Sequence, residues 1–298
     1  MGKIVLFLMN EKGFFVLENL LRDKGAEVLE CVITSQDLNI KKDYYDDIIE
    51  LCKAYSIPCY NKANMPDLDG YKGYKVAIGW RWMIQGDISR LVVLHDSLLP
   101  KYRGFAPLAN MLINKEPQIG VTALFAGEEF DDGDIIDSRS AMVNYPIKIE
   151  EAIQIVKYLY YEIVAGIVDK LQEQIELPRI KQDNTEVSYS CWRDKDDYII
   201  DWNSWDVDKI ARVVDAVGFP YEGARTSLNG EQIIIDEAAP HRDYHVEAAE
   251  DHIGKMLFVQ NQHPFVVCKD GLLEIISAHY LDGKSILPLK KYRSRFGK

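Results

Sequence analysis

The chain predicts an α/β fold: a mostly parallel sheet with helices on both faces, followed by a small antiparallel β-domain. Three observations carry this prediction. Short apolar runs alternate with segments of helical period as far as Leu177-Pro178, the pattern of strands joined by helical crossovers. Those runs are near-continuous, as strands buried on both faces are. Beyond Gly218-Phe219-Pro220 the pattern turns to short alternating segments, and Asn229-Gly230 between two of them is a strong hairpin signal.

Taken in order, residues 3–9 form the first strand, and Gly13, Phe14, Leu17, Leu20 and Leu21 follow at helical spacing. Glu27 to Thr34 reads as a second strand and Asp43 to Tyr55 as a second helix. Tyr74 to Trp80 and Leu91 to Leu94 are further strands, Ala106 to Ile113 is helical, and Gly120 to Phe125 is again β-branched and apolar. Ile149 to Gln174 is a long helix that Leu177-Pro178 breaks. Residues 180–200 are polar and irregular and read as a surface linker. Asp206 to Val217 is a short amphipathic helix. Ala224 to Leu228, Gln232 to Asp236, Met256 to Val259, Phe265 to Cys268 and Leu272 to Ile276 are strands of a small antiparallel barrel. The domains are then 1–179, a linker over 180–203, and 204–298. No glycine-rich GxGxxG turn follows the first strand, which argues against a dinucleotide cofactor.

A length of 298 residues suits one large or two modest domains, and 47% hydrophobic with 28% charged residues is ordinary for a globular protein. A net charge of −12 argues against binding nucleic acid through a broad basic face. The one dense basic cluster, Lys290, Lys291, Arg293, Arg295 and Lys298, reads as a solvated charged tail. Five scattered cysteines without a CxxC pair read as reduced thiols, several of them buried, in a cytosolic protein. No apolar run reaches membrane-spanning length. The apolar N-terminal stretch is short and ends at Asn10-Glu11-Lys12 without a cleavage site, so a cytoplasmic location is expected.

In parallel sheets ligands bind beyond the carboxyl ends of the strands, and His95 falls at such an end. It opens the stretch His95-Asp96-Ser97-Leu98-Leu99-Pro100-Lys101-Tyr102-Arg103-Gly104, in which Pro100 and Gly104 constrain the backbone and Lys101 and Arg103 offer cationic donors. Downstream, Asp131, Asp132 and Asp134 crowd three carboxylates around Gly133. By themselves these residues also fit a core or surface histidine and an ordinary acidic turn, or a hard-cation site, although the loop lacks the spaced ligands of an EF-hand. A carboxylate paired with His95 would fix its tautomer and favour its charged form.

Residues 95–107, then Gly120-Val121-Thr122, then Asp131-Asp132-Gly133-Asp134 resemble the N10-formyltetrahydrofolate-dependent formyltransferase family. Its pattern reads His-x-Ser-Leu-Leu-Pro-x-x-Arg-Gly and, further on, Asp-x-Gly-Asp. Ile200-Asp201-Trp202 and Pro220-Tyr221-Glu222-Gly223-Ala224 look like the family's appended domain. The resemblance implies a Rossmann-like sheet (the formyltransferase fold) with a small OB-like β-barrel. It also implies transfer of a formyl group from N10-formyltetrahydrofolate to a primary amine, with no metal. His95 is then general base and cationic stabiliser of the oxyanion, and Asp131 orients His95 and helps move the proton to the departing folate nitrogen. The backbone of Trp82, Met83 and Ile84 and the loop from Gly127 to Asp131 are implied to hold the folate. The family's Asn two residues before the histidine is Val93 here. Losing such a donor costs about 10²–10³ in rate, and protonated His95, a backbone N–H, Asn110 or Ser97 are the candidates to help in its place. A non-catalytic folate or sugar-nucleotide binding protein is the contrasting reading that Val93 motivates.

Three amine acceptors follow from the resemblance: the aminoacyl group of initiator tRNA, a purine-precursor ribonucleotide, and an amino sugar on a nucleotide diphosphate. The acidic chain and the segment Leu287 to Phe296 favour the sugar nucleotide, in a route to surface glycans or lipopolysaccharide. Lys101, Arg103 and Arg81 would supply the few cations a diphosphate needs. Folate and a nucleotide-linked amino sugar are thus the expected partners, with no nucleic acid or membrane and with a homodimer as the assembly. A folate hydrolase releasing formate is a further alternative.

Overall fold

The computed structural model describes residues 2–298. The chain forms two compact units, one of Met1–Leu108, Pro117–Val143 and Glu151–Cys191, the other of Ala109–Glu116, Asn144–Glu150 and Trp192–Lys298.

The first unit is built on seven strands: β1 (Ile4–Leu8), β2 (Leu29–Thr34), β3 (Cys59–Asn61), β4 (Tyr74–Ile78), β5 (Leu91–His95), β7 (Gln118–Phe125) and β8 (Ile135–Met142). A separate two-residue pair joins β6 (Arg103–Gly104) to β9 (Tyr189–Ser190). The main sheet runs β3-β2-β1-β4-β5-β7-β8. Pairings among β3, β2, β1, β4 and β5 are parallel, and those of β5 with β7 and β7 with β8 are antiparallel. The mostly parallel α/β sheet is therefore as predicted. Two strands are missing from the sequence reading. β3 has only three residues, and β8 (IIDSRSAM) carries the polar residues of a half-exposed edge strand.

Every residue of β1 is buried, because it is central and flanked on both sides. One face of the sheet carries Val5, Phe7, Cys31, Ile33, Ala77 and Leu91, packed by Leu68, Tyr71, Trp80, Ile84 and Ile88. Residues 79–90 between β4 and β5 contain no helix; their apolar side chains do the covering. Helix α1 (Asn10–Lys24) follows β1, and its Gly13 sits so close to Leu8 that an added Cβ would lie 3.1 Å from the leucine Cβ. Helix α2 (Tyr45–Ala54) lies between β2 and β3 in the chain and buries Ile48 and Cys52. The short α3 (Pro107–Ile113) precedes β7. The long α4 (Ile149–Gln172) lies beside α1, tied to it where Gln154 and Lys157 both bond Glu11 at 2.7 and 2.8 Å and where Phe15 meets Tyr158 edge-on.

In the second unit, helix α5 (Val207–Ala216) is capped by Asp206, whose side chain accepts from the Lys209 N–H at 2.6 Å. Strands β10 (Ala224–Leu228), β11 (Glu231–His241), β12 (Met256–Gln260), β13 (His263–Cys268) and β14 (Gly271–Tyr280) form an antiparallel sheet in the order β10-β11-β14-β13-β12. The Asn229-Gly230 turn has positive φ at both positions (52° and 90°), as the tight hairpin turn requires. Asp206→Ala is expected to lower the stability of this unit by about 1 kcal/mol, measurable by urea unfolding with the tryptophans as probe.

The C-terminal cluster needs a correction. Instead of a free solvated tail, its backbone is built into the sheet. Met256 N–H donates to Ser294 O at 3.0 Å, Phe296 N–H to Gly254 O at 2.7 Å, and Gly297 N–H to Ser227 O at 2.9 Å. Bridges Leu228–Phe296 and Lys255–Arg295 thus link the β10 edge to the chain entering β12. The cause is Phe296, fully buried against Trp202 with ring centroids 5.9 Å apart, which draws its charged neighbours in. Lys290, Lys291, Arg293 and Lys298 remain exposed. All five cysteines are free thiols. Among the described residues no helix is long and apolar enough to cross a membrane.

Candidate active site

His95 closes β5, where its backbone pairs with Thr122 of β7, and its side chain is buried. Nε2 lies 2.7 Å from the carbonyl oxygen of Tyr102. A carbonyl can only accept, so Nε2 carries the hydrogen. Nδ1 then faces the Asp131 carboxylate, 3.5 Å from Oδ2. That same oxygen accepts the Gly104 N–H at 2.8 Å. The loop after His95 and the distant Asp131 loop therefore meet at one imidazole, and the pair can accept a proton at Nδ1 with the charge balanced by Asp131.

The loop after His95 is held from below. Ser97 is fully buried and donates to Lys101 O at 2.6 Å, while Thr122 Oγ1 donates to Ser97 O at 2.7 Å and accepts from Leu99 N–H at 3.2 Å. Ser97 thus shapes the loop. Backbone strain gathers here: Tyr102, Ala106 and Asp131 have φ of 60°, 45° and 54°, each at a cost of about 1 kcal/mol or more. Gly104, at φ 100°, also passes so close to β9 that a Cβ would lie 2.7 Å from Ser190 O. No other residue fits there without moving one strand.

Arg103 is buried. It donates to Gln182 Oε1 from Nε at 3.1 Å and Nη2 at 2.7 Å, and from Nη2 to Asn184 Oδ1 at 2.9 Å. The phosphate expected on Arg103 would have to displace both amide oxygens from this buried guanidinium. Residues 180–191, read from sequence as linker, supply these partners. They also pair Ile180 with Ile135 and Ser190 with Gly104. Lys101 stays half exposed beside Glu186 at 3.2 Å, and Arg81 is half exposed on the buried Asp37.

Sequence reading also misses a charge cluster beside the histidine. The Asp96 carboxylate pairs with Lys12 and accepts the Tyr160 hydroxyl at 2.7 Å. Burial pushes the Asp96 carboxyl upward, but the Lys12 charge and hydrogen bond, the Tyr160 hydroxyl and His95 outweigh it and hold it below the usual range. A Lys–Tyr–Asp set spread over α1, α4 and the end of β5 leaves no local signal in the sequence.

Val93, two residues before His95 on the same face of β5, packs with Trp80 and Ile84 against the core, so no amide is offered there. Asn110 lies in the second unit, where its Oδ1 accepts two bonds from Arg193 at 3.0 and 2.6 Å. In the folate-binding stretch inferred from sequence, Trp80 and Trp82 meet edge-on at 5.2 Å, Lys62 lies over Trp82, Met83 is exposed and Ile84 packs inward. Gly127 abuts Asp132, with an added Cβ only 1.8 Å from Oδ1. Asp132 Oδ1 and Trp80 Nε1 are buried without a hydrogen-bond partner. No cluster of metal-ligating side chains occurs among the described residues.

Comparison with known proteins gives two matches to sequence families: Formyl transferase over residues 81–155, and Formyl transferase, C-terminal domain, over residues 193–296. Together they cover more than half of the chain. A methionyl-tRNA formyltransferase from Syntrophomonas wolfei is 28% identical over 205 residues, covering 68% of this chain and 62% of the relative; the chain thus spans about three fifths of that relative's length. A solved structure of WlaRD, a sugar 3N-formyl transferase in the presence of dTDP and 5-N-formyl-THF, superposes with a TM-score of 0.67 at 19% identity over 95% of this chain and 98% of that one. An N-formyltransferase from Helicobacter canadensis, in complex with folinic acid and dTDP-3-aminofucose, gives 0.67 at 16% identity over 92% and 98%. At these identities the likeness to the two structures is one of fold.

Proposed function

The chain belongs to the formyl transferase family, and on that premise we propose that it transfers a formyl group from N10-formyltetrahydrofolate to the primary amine of a nucleotide-linked amino sugar. The observation that carries the chemistry is the His95–Asp131 pair at the end of β5, with one oxygen of Asp131 fixed by the Gly104 N–H. The folate supplies the activated formyl carbon. Trp82, Met83, Ile84 and the Gly127–Asp131 loop are the residues to hold it. The acceptor nitrogen forms the new C–N bond as its proton passes to Nδ1 of His95. The resulting imidazolium, held between Tyr102 O and Asp131, places positive charge beside the formyl oxygen as that oxygen gains electron density. Asp131 then helps return the proton to the nitrogen that leaves, so tetrahydrofolate and an N-formylamine are the products.

Support for the sugar nucleotide comes from two neighbours in fold that match over nearly their whole length, one a sugar 3N-formyl transferase and one in complex with dTDP-3-aminofucose, and from the acidic chain. Lys101 and Arg81 keep exposed cationic groups for a diphosphate. A second reading, methionyl-tRNA as acceptor, is favoured by the sequence relative and by the exposed Lys290, Lys291 and Arg293. Incubation with the folate donor and a panel of nucleotide-linked amino sugars, with methionyl-tRNA in parallel, separates the two. An N-formyl sugar nucleotide is the expected product, and formylation of the tRNA alone would give the second reading.

A further inference from the structure

We propose that Gln182 is a positioning residue that latches the Asp131 loop to the His95 loop. Its amide joins both. Nε2 donates to the carbonyls of Asp131 at 2.7 Å and Gly133 at 2.8 Å. Oε1 accepts the two-pronged donation of the buried Arg103. Arg103 is followed by Gly104, whose N–H fixes Asp131 Oδ2. The result is a closed ring: Gln182 to Arg103, along the chain to Gly104, across to the Asp131 carboxylate, and back through the Asp131 carbonyl to Gln182.

Each link bears on where the carboxylate stands relative to the imidazole. Asp131 adopts a left-handed backbone, which non-glycine residues hold only when their surroundings fix them. Gln182 grips the carbonyl of that strained residue, and Gly104 grips its side chain. An amide is the one neutral side-chain group that can donate to two carbonyls and accept from a guanidinium at once. A carboxylate could serve Arg103 but would face the two carbonyl oxygens as a third acceptor. Gln182 touches neither reacting atom; it acts through Asp131, which acts on His95.

The inference rests on the formyl-transfer reading for its activity arm, and Gln182→Glu separates latch from scaffold. The variant keeps, as a carboxylate, the acceptor for Arg103, so the protein is expected to stay folded, with a melting temperature lowered less than in Gln182→Met. It loses both donations to the Asp131 loop. The expected result is a fall in kcat of about ten- to a hundredfold, the range a displacement of about 1 Å in a catalytic group produces, with KM for folate and acceptor changed by less than about threefold. Independently of turnover, the nitrogen NMR signals of the His95 ring are expected to shift as Asp131 moves. Gln182→Met, neutral and similar in length, removes both functions and is expected to give the same loss of kcat together with a lower melting temperature. Parent-like kcat and parent-like His95 signals in Gln182→Glu would overturn the proposal, as would an activity loss matched by the loss of folded protein. If the parent transfers formyl to no acceptor, the functional reading fails, and the His95 signals alone then decide on the latch.

Discussion

His95→Asn is expected to lower kcat/KM for formyl transfer by about 10²–10⁴, the range that a general acid–base group contributes. Asparagine retains a donor for Tyr102 O but has no group that gains a proton near neutral pH. The attacking amine then has no local base, and no positive charge forms beside the formyl oxygen. Because the ring is buried at the strand end and touches Tyr102 and Asp131, the loss should fall on kcat, with folate affinity retained. Asp131→Ala acts through the same proton, so the double variant should be little worse than the worse single one. Steady-state kinetics of the two single variants and the double, with folate binding by fluorescence, check this. Independent, multiplying losses would show that the two residues do not act as a unit.

Lys12→Met is expected to destabilise the protein by about 3–5 kcal/mol, the cost of leaving one member of a buried ion pair uncompensated. Both side chains of the Lys12–Asp96 pair are only about one-seventh exposed (14% and 15%), so solvent screens the pair weakly. The pH dependence should change sign. In the parent the Asp96 carboxyl is held below its ordinary value. Its stabilising contribution is therefore complete above the unfolded value of about 3.9 and is lost only as pH falls through the depressed folded value. Without Lys12, burial dominates and lifts the same carboxyl. Its ionisation then opposes folding as pH rises, so the stability deficit of the variant should widen from about pH 5 to about pH 8. Urea unfolding of both proteins at the two pH values measures this. Lys12→Met combined with Asp96→Leu, which removes both charges, should recover part of the loss.

These two effects differ in how far the sequence announces them. His95 stands in a local motif, at the end of an apolar strand with Ser97, Pro100, Arg103 and Gly104 at fixed offsets, and Asp131 in a second motif; both are legible because the chain itself sets their spacing. The same holds for β1, whose two-sided burial shows as an unbroken apolar run, for α5 with Asp206 as its cap, and for the Asn229-Gly230 hairpin. The Lys12–Asp96–Tyr160 cluster has no such signature, since its members lie far apart in the chain, on α1, just after β5 and on α4. Gln182 lies in a polar stretch that looks like linker because its role consists of hydrogen bonds to backbone, which leave no apolar period. Phe296 is a single buried aromatic among charges, too little to mark a strand, yet it seats the C-terminal segment. β8 escapes notice because it is an edge strand whose outer residues are polar. Arg103 reads as a ligand for phosphate by its charge; only its burial beneath Gln182 and Asn184 shows where that charge is used.

Formyl transfer at His95 is tested most directly with a carbon-13 label in the formyl group of N10-formyltetrahydrofolate and a nucleotide-linked amino sugar as acceptor. With the parent protein the label should move to the sugar amine as an amide, with tetrahydrofolate formed in equal amount, and with His95→Asn that transfer should fall by at least about 10². Label that stays on the folate or appears as free formate, or equal transfer by the parent and His95→Asn, would contradict it.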